Sequence, residues 1–388
     1  MAKLGDICDV RDGTHDSPTY VNTGYPLVTS KNIVDGKLDL SVVNFISLED
    51  YNKINERSKV DVGDIIMPMI GTIGNPYLVD VSTEFAIKNV ALIKFNKREA
   101  NNRYIYYFLQ SENFRKYITK NNRGGTQKFL SLKDIRNIEI DIASYDEQLE
   151  IVETLDGIFA LINLRKKQLS KLDELVKSRF IEMFGDPVEN PLNWEIGLLK
   201  NITSKIGSGA TPRGGKESYQ SEGVTLIRSM NVHDGRFEYK DLAHITDKQA
   251  KQLENVIVEK NDVFINITGA SVARSCIVPE YILPARVNQH VAIIRCISSI
   301  INPVFANNMF LNTSFKGRLL DIGESGGATR QAITKQQLEM LDVIIPPIEL
   351  QNEFATFVEQ TEKVKLEVKE SLEKLVILKK SLMQEYFG

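Results

Sequence analysis

The chain repeats itself, and this internal repeat constrains its fold more than any other feature of the sequence. The run 177–185, KSRFIEMFG, returns as 380–388, KSLMQEYFG, at an offset of 203 residues. Three shorter matches lie in the same order at offsets of 199, 201 and 202, pairing 32–37 with 231–236, 90–93 with 291–294, and 123–126 with 325–328. Offsets that drift by single residues are typical of loops that gain and lose residues. Copies of about 200 residues are too long for a solenoid repeat, so we expect two like domains with two equivalent binding places.

The composition is ordinary for a soluble protein. At 388 residues the chain has room for two or more domains, and its hydrophobic content is 42%. No apolar run reaches the roughly 18 residues that span a bilayer. The start of the sequence lacks the layout of a signal peptide, so we expect a cytoplasmic location and no membrane contact. The three scattered cysteines, Cys8, Cys276 and Cys296, argue against a disulfide framework and a cysteine-based zinc site.

The net charge of −3 does not exclude a nucleic-acid partner, because the charge is unevenly distributed. Residues 1–146 carry equal numbers of basic and acidic side chains, and so do residues 186–348. The acidic excess lies in 147–185 and 349–388. A basic face on each of the two larger segments is therefore compatible with the composition.

Segments 147–185 and 349–388 each predict one long helix. Gly185 followed by Pro187 predicts the end of the first helix, and the proline pair at 346–347 blocks an earlier start of the second. Each helix would be about 57 Å long at 1.5 Å per residue, and we expect the two to pack on each other. Apolar residues recur at the seven-residue spacing of a coiled coil: Leu155, Ile162, Leu169, Val176 and Met183 in the first, and Phe354, Val368, Leu375 and Leu382 in the second.

The segments 1–146 and 186–348 are predicted to be β-rich with short helices. One helix is predicted from Asn101 to Tyr117, and its counterpart from Pro303 to Leu320. The fold class is therefore α+β, with globular domains at 1–146 and 186–348 that alternate with the two long helices. Short apolar runs bounded by turn residues predict strands at 64–67, 90–95, 262–267 and 291–295.

No stretch of the sequence carries a complete catalytic or metal-binding motif. The segment 75–77, Asn-Pro-Tyr, lacks the second proline of the Asn-Pro-Pro-Tyr motif of amino-methyltransferases, so a turn is the better interpretation. In 207–212, Pro212 would stand inside the helix that a nucleotide fingerprint has to open, which favours a loop. The nuclease-like run 367–369 lies in a heptad helix, and the four histidines lack metal spacing. We therefore predict no catalytic residue, metal or cofactor on this chain.

Polar loops in equivalent places of the two copies are the remaining candidates for function. Arg and Lys suit guanine edges and phosphates, Asn and Gln suit adenine edges, and glycine lets backbone N–H groups approach phosphates. Each loop alone is also compatible with an ordinary polar surface turn. Equivalent loops that keep a framework and vary their side chains favour two readers of different sequences. The candidate DNA-binding residues are Thr14, His15, Lys31, Asn32, Lys88, Asn89, Arg123, Gly124, Gly125, Thr126, Gln127 and Lys128 in the first copy, and Arg213, Lys216, Arg228, Asn231, Arg274, Arg286, Asn288, Gln289, Arg330 and Gln331 in the second.

In this order the motifs resemble the specificity subunits of type I restriction–modification systems, and the resemblance covers essentially the whole chain. Each motif is weak alone, but the same order repeated, with a long helix after each copy, is specific. The second copy departs from the first at 205–212. The residues that carry the resemblance are Lys3-Leu4-Gly5-Asp6-Ile7, Asp12-Gly13-Thr14-His15, 32–36, Gly63-Asp64-Ile65-Ile66, Gly71-Thr72-Ile73-Gly74, 124–127, 147–152 and 346–351.

The resemblance implies two target recognition domains in a pseudo-twofold tandem repeat, each reading one half of a bipartite double-stranded DNA site. The long helices then form an antiparallel coiled coil that sets the gap between the half-sites and docks two methyltransferase subunits. Two restriction (motor-nuclease) subunits can be added to that complex. Apolar helix residues outside one seam are expected to meet partners: Phe159, Phe180, Leu366 and Leu372.

The resemblance also implies that S-adenosylmethionine, ATP and Mg belong to the partner subunits and that this chain is not catalytic. Two rival functions remain open from the residues themselves. The first is a coiled-coil scaffold whose domains bind proteins. The second is a stand-alone DNA methyltransferase, which the incomplete motifs disfavour.

Overall fold

The computed structural model describes residues 1–34, 36–71, 73–95, 99–121, 129–212, 214–324 and 331–388, with only the backbone described at Lys216. The chain divides into two compact units. The first comprises Met1–Lys166 and Glu370–Gly388, and the second comprises Lys167–Lys369. Among the described helices, none is long and apolar enough to cross a membrane.

Both units consist of short strands and short helices, and both contain parts of the same two long helices. The elements from the N-terminus to the first long helix are β1 (Ala2–Lys3), α1 (Leu4–Ile7), β2 (Asp9–Asp12), β3 (Tyr20–Val21), β4 (Tyr25–Val28), β5 (Ile33–Val34), β6 (Lys37–Leu38), β7 (Asn44–Ile46), α2 (Leu48–Ser58), β8 (Ile65–Pro68), β9 (Tyr77–Leu78), β10 (Ala86–Ile87), β11 (Val90–Lys94), α3 (Asn102–Phe108), α4 (Glu112–Asn121), α5 (Leu132–Arg136), β12 (Glu139–Ile140) and α6 (Tyr145–Phe184). Those that follow are β13 (Glu195–Leu198), β14 (Thr203–Ser208), β15 (Val224–Ile227), β16 (Val232–His233), β17 (Arg236–Phe237), β18 (Ala243–Ile245), α7 (Asp247–Lys251), β19 (Val263–Asn266), β20 (Ser275–Ile277), β21 (Ala285–Val287), β22 (Val291–Cys296), α8 (Pro303–Leu311), α9 (Thr313–Glu324), α10 (Lys335–Glu339), β23 (Asp342–Ile345) and α11 (Ile348–Phe387).

The first unit has two four-stranded sheets. One is antiparallel in the order β2-β11-β8-β9, and the other has the order β10-β4-β7-β3, with β10 parallel to β4. Successive side chains of a strand point to opposite faces, and β11 uses both faces. Ala91 and Ile93 pack into the core that includes α3, whereas Val90 and Leu92 pack into the core that includes β10. This double burial explains why the strand is a continuous apolar run in the sequence.

The second unit repeats this topology. Its sheets have the orders β14-β22-β19-β20 and β18-β15-β21, and β21 is parallel to β15 as β10 is to β4. Strand β22 again divides its side chains between two cores, with Ala292 and Ile294 in one and Val291 and Ile293 in the other. The tandem repeat and the four predicted strands are therefore confirmed.

The two long helices are 40 residues each, as the heptad pattern predicts. Ser144 precedes α6, and its backbone N–H donates to Glu147 Oε2 over 2.9 Å, which is one half of a capping box. Gly185 ends α6 with a φ of +73° and donates its N–H to Ile181 O over 2.8 Å. The predicted glycine stop is therefore confirmed.

Within each unit the two long helices run antiparallel. In the first unit, Leu155 from the beginning of α6 shares a core with Phe387 from the end of α11. In the second unit, the ring of Phe180 near the end of α6 lies 5.5 Å from that of Phe354 near the beginning of α11. The predicted antiparallel pairing is confirmed.

One expectation about the helix surfaces is wrong, the exposure of Phe180. Phe180 is only 2% exposed and belongs to the core of the second unit, so it cannot meet a partner. Phe159 is partly buried in the first unit, where its ring lies 5.2 Å from that of Tyr107. Leu366, by contrast, is 59% exposed, and Leu372 is half-buried.

Each of the two helices predicted in the globular parts is in fact a pair. Between α3 and α4, Ser111 Oγ accepts a hydrogen bond of 3.2 Å from the N–H of Phe114. Between α8 and α9, Asn312 Oδ1 accepts a hydrogen bond of 3.0 Å from the N–H of Ser314. Short polar side chains compete with the helix for backbone donors, so the same break occurs in both copies.

Candidate nucleic-acid interface

Three polar segments of the first unit meet at one edge of its two sheets. These segments are 13–15, 88–89 and the 3-10 turn Ser30–Asn32, and we call them edge 1. The N–H of Thr14 donates to Ile87 O over 3.0 Å, and the N–H of Asn89 donates back to Thr14 O over 3.2 Å. The N–H of Lys88 donates to Val28 O over 2.9 Å, at the end of the strand that leads into the turn. Backbone hydrogen bonds thus bring together segments that are distant in the sequence.

Two equivalent glycines permit the close approach of these segments. A Cβ atom added at Gly13 would lie 2.4 Å from Ile87 O, and one added at Gly209 would lie 1.8 Å from Val287 O. Both distances are far below van der Waals contact. Each loop crossing therefore requires glycine, which explains why the two copies share glycine here and differ around it.

His15 lies at the centre of a polar cluster in edge 1. Its Nδ1 is 2.9 Å from Asn89 Oδ1 and its Nε2 is 2.8 Å from Asp12 Oδ2. The hydrogen bonds with Asn89 and with Asp12 raise the pKa of His15 above its ordinary value, against the opposing effects of burial and of Arg57. The His15 side chain is 63% exposed, so the ring is accessible to a ligand.

Edge 1 presents further cations. Lys31 is exposed on the turn Ser30–Asn32, and Lys88 Nζ donates to Ser17 Oγ over 2.8 Å. Arg57 is a cation that the sequence analysis missed. Its guanidinium forms an ion pair with Asp12, and its side chain remains 69% exposed. The sequence offers no direct signal for Arg57, because only the fold places the end of α2 beside β2.

The second unit assembles a matching edge from equivalent segments. The N–H of Gly209 donates to Asn288 O over 3.1 Å, and the N–H of Asn288 donates to Ile227 O over 3.0 Å. The N–H of Gly269 donates to Gln331 O over 2.9 Å, which adds two further loops. We call this surface edge 2, and it comprises 209–211, 288–290, 268–269, Gln331 and the 3-10 turn Ser229–Asn231.

Side chains also join the loops of edge 2. Thr211 Oγ1 donates to Gln289 Oε1, and Gln289 Nε2 lies 3.1 Å from His290 Nε2. His290 Nδ1 in turn contacts Thr268 Oγ1. Gln331 Nε2 donates to Glu324 Oε1 over 2.6 Å. The hydrogen bond from Thr211 to Gln289 joins the same two loops as the contact of His15 with Asn89 in edge 1.

Two arginines flank edge 2. The Arg228 guanidinium lies 5.5 Å from the centroid of the Tyr219 ring and donates to Asp241 O. Its Nε is buried and has no hydrogen-bond partner among the described residues. Arg274 Nη1 lies 3.5 Å from His233 Nδ1. Both guanidinium groups add permanent positive charge beside edge 2.

Two predicted base readers are structural instead. Asn32 Oδ1 accepts from the N–H of Thr29 and Nδ2 donates to two carbonyls, at distances of 3.0 to 3.1 Å. Asn231 is fully buried and repeats this pattern, accepting from the N–H of Arg228 and donating to Glu238 O and Lys240 O. Both amides are used within the fold, so they are not available to bases.

The structure also buries two further candidates, and one of them, Arg286, bonds its guanidinium within the fold and is wrongly predicted as a reader. Arg286 is buried, and it donates from Nε to Ala250 O over 3.2 Å and from Nη1 to Ala285 O over 2.9 Å. Asn288 is buried, and its Oδ1 accepts from the N–H of His290 over 3.0 Å. Polar residues look alike in a sequence whether they support a loop or project from it.

Several candidates lie outside the described residues: Arg123, Gly124, Gly125, Thr126, Gln127, Lys128, Arg213 and Arg330, together with the side chain of Lys216. The flanking residues are described. The N–H of Leu130 donates to Met69 O over 2.9 Å, and the N–H of Ile333 donates to Ile267 O over 2.8 Å.

A basic groove along β14 was also missed by the sequence analysis. Its volume is about 560 Å³, and three lysines line it, Lys200, Lys205 and Lys335, together with Glu339, which pairs with Lys335. Ser208 at one end of the groove leads into edge 2. Burial and the nearby Arg295 lower the pKa of Lys205. At the equivalent position of the first unit stands Asp9, since Asp9 pairs with Lys94 as Lys205 pairs with Arg295. The basic side chains are spread over the sequence, so only the fold reveals the groove.

The motifs that the sequence analysis rejected have structural roles. Tyr77 is buried in β9 and donates to Asp80 Oδ1 over 2.6 Å, and burial raises the pKa of Tyr77 to about 12. Gly207 and Ser208 lie within β14, so they do not form a strand-to-helix turn. Val368 is buried along the helix pair. Among the described residues, no group of three His, Cys, Asp or Glu is placed to hold a metal ion.

The chain is similar to curated specificity subunits over most of its length. It is 25% identical over 400 residues to a putative type I restriction enzyme MjaX specificity subunit from Methanocaldococcus jannaschii, covering 96% of this chain and 90% of the other. It is 22% identical over 393 residues to the type I restriction enzyme StySPI specificity subunit from Salmonella potsdam, covering 95% and 83% of the two chains.

Solved structures share the fold over the full length. A chain from a study of complex assembly and conformational transition of the type I R-M system superimposes with a TM-score of 0.60 at 18% identity, covering 100% of this chain and 96% of the other. The crystal structure of the type I restriction-modification S subunit from M. genitalium gives a TM-score of 0.55 at 15% identity, covering 100% of this chain and 95% of the other.

The family model of the type I restriction modification DNA specificity domain matches residues 1–174 and again 191–376. Specificity subunits are the non-catalytic subunits of these systems, so the prediction of a non-catalytic chain is confirmed. The chain belongs to the family of type I restriction–modification DNA specificity proteins, with two copies of the family domain in tandem.

Proposed function

We propose that this chain reads a bipartite duplex DNA site, with residues 1–146 reading one half-site through edge 1 and residues 186–348 reading the other through edge 2. One observation carries the proposal. The two edges have the same backbone framework, set by Gly13 and Gly209, but present different side chains. A shared framework with different polar groups is what two readers of different base sequences require.

The described side chains divide into base readers and phosphate contacts. Within the described part of the chain, Asn89 keeps one end of its amide free at the loop crossing, so it is suited to a base edge, whereas both ends of the Gln289 amide contact neighbouring side chains. Lys31, Lys88 and Arg228 are cations at the margins of the edges, suited to phosphates. The groove lysine Lys205 extends this cationic surface in the second unit. Thr14, Arg274 and Gln331 remain candidates, as do the residues of the undescribed loops.

The chain also holds the catalytic subunits of the complex in this proposal. Two methyltransferase subunits dock on it, one for each copy of the repeat, and two restriction subunits can join them. The long helices offer exposed apolar side chains for this docking, including Leu164, Leu366 and Ile377, which are 58%, 59% and 69% exposed. S-adenosylmethionine, ATP and Mg then act on the partner subunits. The spacing of the half-sites is set by the helices.

The test is to co-express the chain with its cognate methyltransferase and to map the methylated adenines in the host genome. We expect one bipartite motif with two defined halves and a fixed spacer. Exchanging 1–146 for the same segment of a relative with a different site should change one half alone. A single continuous motif without a spacer would contradict the proposal, and so would a change in both halves after the exchange. Duplex affinity should also fall steeply with salt.

A further inference from the structure

His15 and Asn89 connect two loops of edge 1 in a way that depends on a proton. His15 Nδ1 lies 2.9 Å from Asn89 Oδ1, and Nε2 lies 2.8 Å from Asp12 Oδ2. Both ring nitrogens therefore face oxygen atoms. Only the protonated imidazolium donates from both nitrogens, since the neutral ring has one donor and one acceptor. The charged ring therefore satisfies both contacts as a donor.

The charged groups around His15 support this state. Asp12 is largely buried, and while its Oδ2 faces His15 its Oδ1 pairs with Arg57. Arg57 opposes protonation of His15, whereas Asp12 favours it. Asp16 follows in the same loop, and Lys88 comes from the opposite loop with its Nζ on Ser17. The hydrogen bonds with Asn89 and with Asp12 raise the pKa of His15 on balance.

The Asn89 side chain has one occupied end and one free end. Its Oδ1 faces His15, and its Nδ2 has no hydrogen-bond partner among the described residues. The backbone of Asn89 is fixed, with a φ of +56° and its N–H on Thr14 O at 3.2 Å. When His15 Nδ1 loses its proton, the nitrogen becomes an acceptor and repels Oδ1. Rotation of the amide by half a turn then brings Nδ2–H to the ring and restores the hydrogen bond.

We propose that the proton on His15 selects which end of the Asn89 amide edge 1 presents to a base. The proposal rests on the proposed function and concerns the regulation of the same site. With His15 charged, Nδ2–H faces outward and donates to acceptors such as guanine O6, thymine O4 or a purine N7. With His15 neutral, Oδ1 faces outward and accepts from the amino group of adenine or cytosine. Base preference at one position of one half-site therefore changes with pH.

Edge 2 provides the internal comparison. Gln289 stands where Asn89 stands in edge 1, and both ends of its amide are occupied. Oε1 accepts from Thr211 Oγ1–H, and Nε2 donates to His290 Nε2 over 3.1 Å. Thr211 replaces His15, and its hydroxyl does not titrate. The Gln289 amide therefore has no free end, whereas Asn89 leaves Nδ2 free of any described partner, so the exchange proposed here concerns edge 1.

The experiment selects bound duplexes from a randomised library with the full chain at pH 6.0 and pH 8.5. In the wild type, one position of the site should change its preference between bases that accept a hydrogen bond and bases that donate one from an amino group. The ratio of the two should change by about three- to tenfold, which corresponds to the free energy of one neutral hydrogen bond. The His15→Gln variant keeps a polar side chain but cannot titrate, so its preference should not change with pH. His244→Gln, in β18, is the matched control and should behave as the wild type.

Nitrogen resonances of the free chain provide an independent readout. At pH 6.0 both ring nitrogens of His15 should be protonated, and the side-chain amide resonances of Asn89 should shift with the midpoint of the His15 titration. A neutral His15 at pH 6.0, Asn89 resonances that ignore the titration, or a base preference unchanged by pH would each overturn the inference. Failure to bind any duplex would instead overturn the proposed function and its reading role, while the resonances still report whether the His15–Asn89 contact titrates.

Discussion

Gln148 and Gln351 are fully buried and make the same three hydrogen bonds, one residue in each unit. The Oε1 of each accepts a backbone N–H over 2.8 Å, from Asn101 in the first unit and from Asn302 in the second. Each Nε2 donates to two backbone carbonyls. In each unit, the glutamine side chain therefore joins the first turn of the long helix to the residue before a short helix, which is α3 in the first unit and α8 in the second. The carbonyl acceptors are Glu99 O and Ala143 O for Gln148, at 3.0 and 2.9 Å, and Ile300 O and Pro346 O for Gln351, at 3.1 and 2.7 Å.

Gln351→Leu should strongly destabilise the second unit. Leucine fills a similar volume but leaves three buried backbone groups without partners, so we expect the free energy of unfolding to fall by about 3 kcal/mol. Trp194, the single tryptophan of the chain, lies in the second unit and reports urea unfolding by fluorescence. Gln360→Leu, at an exposed position of the same helix, is the control and should change the free energy by less than about 0.5 kcal/mol. Equal midpoints for the two variants would contradict this role.

Asn231→Ala should reduce stability without relaxing base specificity. The buried amide holds the turn Ser229–Asn231 to the residues before β18, and its loss should cost about 2 kcal/mol of unfolding free energy. Because the amide has no free group for a base, the remaining folded protein should rank all duplexes as the wild type does. Met230→Ala, at the exposed neighbour, should leave the unfolding free energy nearly unchanged. Selection from a duplex library together with thermal unfolding measures both effects.

The framework was predictable from the sequence because it depends on repeated local signals. The heptad spacing, the glycine stop at Gly185 and the apolar run at 90–95 each correspond to one element. Because the sequence repeats, most motifs occur twice, so motifs that are weak alone could be interpreted together. The two long helices and the central strands were correctly predicted for this reason.

The site was less predictable, because exposure depends on contacts that are distant in sequence. Asn89 and Asn231 are both asparagines in turns, yet one has a free amide end and the other is fully bonded inside the fold. Arg286 was chosen for its charge, but β21 buries it. Arg57 was overlooked because its partner Asp12 is 45 residues away. Residue type indicates which chemistry is possible, and the tertiary fold decides which side chains are available.

Lys31→Gln should weaken binding to all duplexes alike. The side chain is exposed at the turn Ser30–Asn32, and a phosphate contact releases about one counterion. The slope of log affinity against log salt should therefore become less negative by about 0.9, with base preference unchanged. Lys3→Gln, which removes the same charge from β1, should leave the slope near that of the wild type. A change in base preference for Lys31→Gln would indicate that the lysine reads a base edge instead.

The extra stabilisation that protonation of His15 provides should be lost as the pH rises. The hydrogen bonds with Asn89 and Asp12 raise its folded pKa above the ordinary 6.5. A group whose pKa is higher in the folded state stabilises the fold fully below its unfolded pKa. This stabilisation is lost as the pH rises through the folded pKa. Hydrogen exchange at 86–90 should therefore be slower in the wild type than in His15→Gln below pH 6.5, with the difference shrinking at higher pH. A difference that grows with pH would mean that the neutral ring is the bonded form.

Shortening both long helices by one heptad should test whether they set the spacer of the DNA site. Deleting 160–166 together with 363–369 keeps the seven-residue phase of the seam and shortens each helix by about 10 Å. If the helices set the spacer, it should contract by about three base pairs, since the rise is 3.4 Å per pair. Deleting four residues from each helix instead breaks the seam phase and should destabilise the pair, which separates spacing from folding. Methylome mapping of hosts that express each variant with the methyltransferase gives the result. An unchanged spacer in the seven-residue variant would show that the helices do not determine it.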